Sequence, residues 1–156
     1  MSNLLVVFFM WVVGFGVLSF YLRDSVAALF IKRSRFPRYV NFLIIALLLV
    51  VIEEAFTCGS FPSCLIITVP AFWLHLLLFY VPLVLFGILR FRFWTIVLLY
   101  GLWGSFWEFI VDGKYTWFYE QGVAAFFVLV ILNTLIYAVI AMLPVYYLKR
   151  SFSNTP

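Results

Sequence analysis

Five stretches of the chain, over about residues 3–22, 38–57, 65–89, 93–111 and 122–148, run for about 19 to 27 residues each and are nearly free of charge. A helix needs about 20 apolar residues to cross ~30 Å of hydrocarbon. Runs of this length exclude most water-soluble folds. Composition agrees: 67% of residues are hydrophobic, 10% are charged, and the mean hydropathy is +1.19. A soluble domain carries about 25% charged residues, so this chain lacks the polar surface to coat a soluble globule. The reading is an all-α bundle of five transmembrane helices forming one domain over residues 1–156.

The first run follows Met1-Ser2-Asn3 with no basic segment and no small-residue cleavage site after it. It therefore reads as a retained span and not as a signal peptide. Gly14 and Gly16 in its interior suit close helix packing. The basic segment that follows is too short to span. Its apolar residues 26–31 either extend the first helix or lie along the interface. Pro70 and Pro82 fall inside the third run, where proline kinks a helix.

Lysines and arginines mark the ends of these runs and set the orientation. With the N-terminus outside, Arg23, Lys32, Arg33, Arg35, Arg38, Arg90, Arg92, Lys149 and Arg150 all fall inside, and only Lys114 falls outside. The expectation is N-out and C-in, in a multi-pass protein of the cell membrane. A net charge of +4 arranged in this way belongs to membrane orientation, not to nucleic-acid binding. Tyr21, Tyr39, Tyr146, Tyr147, Trp117 and Tyr119 lie at the boundaries, as interfacial anchors do.

The same assignment gathers Glu53, Glu54, Glu108, Asp112 and Glu120 at or near the outer end and leaves Asp24 inside. Ionisable residues within spans mark functional sites by default. Glu53 and Glu54 sit about one turn, ~6 Å, below the outer surface. Neighbours on a helix point about 100° apart, so the two do not share one target; Glu54 shares a face with Cys58. In the fourth run, Gly101, Gly104, Ser105, Glu108 and Asp112 recur at three- and four-residue spacing. That stripe of small residues turns Glu108 inward, with Trp103, Phe106, Trp107, Phe109 and Ile110 on the other faces. Asp112 and Glu120 read as solvated loop charges. Deeper lie His75, Tyr100, Asn133 and Thr134 at similar depth, a candidate midplane polar layer in which a buried histidine finds its partners.

Three chemistries fit these residues. Glu53, Glu54, Glu108 and His75 offer oxygen and nitrogen ligands to a divalent metal, although the E-x-x-H spacing of carboxylate di-metal bundles is absent. A buried carboxyl with raised pKa would serve as an acid or base toward a lipophilic substrate held among aromatic rings. A proton or cation path is the third. A structural role, with the same groups hydrogen-bonded between helices, stands beside all of them. Two function classes stay open: a membrane enzyme or binding protein for a lipophilic small molecule, and a non-catalytic accessory subunit of a larger membrane complex.

Cys58 and Cys64 bracket a Gly- and Pro-containing loop expected outside, where an oxidising compartment favours a disulfide. It would join the second and third spans just above the two glutamates. The run Glu53-Glu54-Ala55-Phe56-Thr57-Cys58-Gly59 resembles the first motif, E-E-x-x-x-R, of the CAAX-protease and bacteriocin-processing family of intramembrane proteases. Cys58 stands where that motif has arginine. His75 is the one histidine, and Ala71 occupies the phenylalanine position of the F-x-x-x-H motif. The family's activity is therefore not carried over.

Overall fold

The computed structural model describes residues 9–57, 91–111, 116, 120 and 122–153, with backbone alone for 53–57 and 111. Among them every element is helical. Helix α1 covers Phe9–Arg33, wound as π-helix over Phe9–Phe15 and as α-helix over Gly16–Arg33. Helix α2 is Arg38–Thr57. Helix α3 is α-helical over Phe93–Phe106 and closes with a π segment over Trp107–Val111. Helix α4 is Val123–Ser153. Three of them, α1, α3 and α4, are long and apolar enough to cross a membrane. The chain is accordingly a membrane-embedded protein, all-helical over the described residues. The run at 65–89 and the count of five spans lie outside the described residues.

Residues 26–31 continue α1 without a break, so the alternative of a separate interfacial segment does not occur. The helix ends at Arg33, and its cap Ser34 adopts an extended backbone at φ −78°, ψ 136°; Pro37 keeps the next turn open by pushing Phe36 before it out of the helical region. At the other end of the described chain, α4 runs on past Leu148 to Ser153. Its interior Pro144 is fully buried and lacks the N–H that would bond four residues back.

Among the described helices, α4 is the hub. Each of α1, α2 and α3 packs against α4 more extensively than against either of the others. Residues 137–145 of α4, from Tyr137 to Val145, are accordingly buried without interruption. Around them sit Trp11 of α1, Phe42, Ile45 and Leu49 of α2, and Ile96, Val97 and Tyr100 of α3. The outward faces carry Val17, Tyr21, Trp94, Leu98, Leu102 and Ile110, the apolar dress expected of lipid-facing helices.

Small residues decide how closely the helices approach. A Cβ on Gly101 would lie 2.4 Å from the Thr134 carbonyl oxygen, and one on Gly104 would lie 2.3 Å from Cγ of Tyr137. The glycine stripe of α3 therefore lies directly on α4. On α1 the close contact is Gly16, whose Cβ would meet Val139 at 3.0 Å, whereas Gly14 is exposed with nothing nearer than 3.8 Å. Trp11 then locks the upper part of α1 in place. It is buried, stacks on Phe15 at 4.6 Å, and donates its indole N–H to the Ile136 carbonyl at 3.3 Å.

Candidate functional site

Two polar regions are visible, at opposite ends of the bundle. The first collects the basic helix ends. Asn41, in the first turn of α2, donates to the Tyr147 hydroxyl of α4 at 3.0 Å and to the Phe36 carbonyl at 3.2 Å. The Ser34 hydroxyl donates to the Asn41 side-chain oxygen at 2.5 Å and accepts from the Phe36 amide at 3.2 Å. The turn between α1 and α2 is thus tied to α4. Tyr147 is 2% exposed, so its ring serves the core and is not an interfacial anchor. Nearby, Arg38 lies over the Phe152 ring at 4.6 Å and Tyr39 meets the same ring edge-on.

One turn away, Asp24 of α1 pairs with Arg150 of α4 and accepts from the Tyr146 hydroxyl at 2.6 Å. Arg23 lies over the rings of Phe20 and Tyr146, at 3.8 and 5.1 Å. On the same level Phe93 of α3 packs edge-on against Tyr146, and Trp94 stacks near Phe20. The C-terminal ends of α1 and α4 and the N-terminal ends of α2 and α3 therefore share one end of the bundle. Asn41 and Tyr147, and Asp24 and its partners Tyr146 and Arg150, stand more than a hundred positions apart, which is why sequence patterning passed over Asn41 and left Asp24 solitary.

The other end carries the carboxylates. Helix α2 rises ~30 Å over its length, which takes Glu53 and Glu54, in its last turns, away from the basic end. Helix α3 starts at the basic end and so delivers Glu108 to the far one. Phe109 beside it meets Phe126 of α4 at 5.8 Å. The π segment alters the expected facing here. A π turn holds one residue more than an α turn, so the position that Glu108 would take on the small-residue stripe passes to its neighbour. Phe109 is buried, at 5% exposure, and Glu108 is half-buried. The expected place of Phe109 on an outer face rested on unbroken α-helical winding. Glu120 is exposed.

Between the two ends, α3 and α4 share a short polar chain. The Thr134 hydroxyl donates to the Val130 carbonyl at 2.8 Å, which uses its one proton. Ser105, 2.8 Å away, is then the donor to Thr134. Asn133 completes the chain with an N–H to Ser105 at 3.5 Å. Asn133, Ser105, Thr134 and Val130 form a directed series ending on a backbone carbonyl. Such a series fastens the two helices. Tyr100 is buried one turn before Gly104 on the same helix.

His75, Cys58, Cys64 and Asp112 lie outside the described residues, as do the side chains of Glu53 and Glu54. The candidate disulfide and, Glu108 apart, the candidate metal ligands therefore lie outside the described side chains. Among the described residues no three ligating side chains cluster. No protein family, curated protein or solved structure matches the chain.

Proposed function

We propose that the chain is a five-span membrane protein, N-terminus outside and C-terminus inside, in which Glu53, Glu54 and Glu108 form an acidic site for a lipophilic molecule. His75 lies beneath them in this reading. The observation that supports it is the shared placement of two carboxylate-bearing helix ends, those of α2 and α3, opposite the basic end. Helix α2 finishes and helix α3 begins at opposite ends of the bundle, and a fifth span over 65–89 accounts for that return. Within the site, carboxyl groups offer oxygens that can accept a hydrogen bond from, or exchange a proton with, a ligand that arrives through the bilayer.

Glu54→Gln and Glu108→Gln keep shape and hydrogen bonding while removing the charge. Lipids that co-purify with the wild-type chain and with each variant are extracted and profiled by mass spectrometry. A lipophilic species carried by the wild type and lost from both variants supports the site. Identical profiles from all three refute it and leave the accessory-subunit reading. Orientation has its own test: a reporter active only outside the cell, fused after Pro156, stays silent.

A further inference from the structure

The turn between α1 and α2 has a feature that orientation alone does not call for. Lys32, Arg33, Arg35 and Arg38 place four cations within seven residues. The first three are exposed, and among the described residues none of the four has a carboxylate partner. The one acid described at this end, Asp24, is already engaged by Arg150 and Tyr146. The backbone that carries the cations is also fixed, because Ser34, Asn41 and Tyr147 tie it to α4. Helix α2 begins at Arg38, the last of these cations, with Asn41 making the first amide bond back to Pro37. Its first three amides have no intrahelical acceptors, and they add the positive end of a helix dipole. A charged patch meant only to set topology needs neither a fixed turn nor a helix start.

We infer that this corner binds the phosphate of an anionic phospholipid in the leaflet it faces. The partner is a lipid and not a soluble phosphate, because the cations sit at the ends of spans, where headgroups are the adjoining anions. Each cation that reaches the bound phosphate is expected to strengthen binding about fivefold, the effect of one lysine or arginine beside an anionic surface.

The test uses the full purified chain in mild detergent, with lipid binding read by native mass spectrometry. The wild type is expected to retain phosphatidylglycerol over phosphatidylcholine. Arg33→Gln/Arg35→Gln, at exposed positions, is expected to weaken phosphatidylglycerol binding roughly 25-fold. Arg90→Gln/Arg92→Gln removes the same charge from the stretch that precedes α3 in sequence, outside this turn, and is expected to stay within about twofold of wild type. Arg33→Lys/Arg35→Lys is expected to restore most of the binding, which separates charge from any loss of folding. Three results overturn the inference: no lipid preference in the wild type, equal losses in the two glutamine pairs, or displacement of the lipid by millimolar inorganic phosphate.

Discussion

Replacing Gly101 with alanine tests whether the contact between α3 and α4 rests on missing side chains. The new Cβ would start 2.4 Å from the Thr134 carbonyl oxygen, a backbone atom with no rotamer to yield. Real Cβ contacts stay beyond 3.0 Å, so α3 must retreat by about 0.6 Å. The same retreat opens the 2.8 Å bond between Ser105 and Thr134 past the usual range for paired hydroxyls. Overpacking costs about 1–3 kcal/mol, and an interhelical hydrogen bond adds about 0.6 kcal/mol. Alanine's better helix propensity returns up to about 1 kcal/mol. The expected net loss is about 2 kcal/mol, or roughly 4–8 °C in the apparent Tm of a chain this size. Tryptophan fluorescence during heating in mild detergent reads it. Gly14→Ala is the control, because its Cβ meets nothing closer than 3.8 Å and the helix gains propensity. If Gly101→Ala melts with the wild type and with Gly14→Ala, the close approach of α3 to α4 is refuted.

Tyr147→Phe removes one hydroxyl from the buried junction with Asn41 and is expected to cost about 1–2 kcal/mol in the same melt; no change would show that the turn is held by other contacts. A double-mutant cycle on Asp24→Asn and Arg150→Gln should give a coupling below about 1 kcal/mol, since Asp24 is 58% exposed and water screens the pair. A larger coupling would mean that lipid shields this pair from water. Trp11→Phe keeps an aromatic ring but loses the donor to Ile136, and a loss of about 0.6–1.7 kcal/mol is expected from the melt.

The all-helical, membrane-embedded character was legible from composition and run length, because hydrocarbon leaves a chain few ways to satisfy its backbone. The packing face of α3 was legible too. Gly101 and Gly104 leave room that only a neighbouring helix can fill, and Thr134 and Tyr137 fill it. Facing beyond Ser105 was not legible. Periodicity presumes one winding, and the π segment at Trp107–Val111 shifts the register by about a residue. Nor did patterning reveal that Asn41 meets Tyr147 or that Asp24 meets Arg150. A hydrogen bond across a hundred residues leaves no local trace in either partner. For the acidic site, sequence located the carboxylates along their helices, and the fold adds which end those helices share.

The central position of α4 bears on the order in which the bundle forms. Trp11 awaits Ile136, Asp24 awaits Arg150, and Asn41 awaits Tyr147. During synthesis the first helices enter the bilayer as independent spans, each sound in its own backbone but lacking the surface it will pack on. Assembly then follows the arrival of residues 123–153, when three waiting helices gain their common partner. Chains arrested before Val123 should therefore insert, yet stay as separable helices open to proteolysis at the 34–37 turn. Full-length chains should become resistant there in a single step.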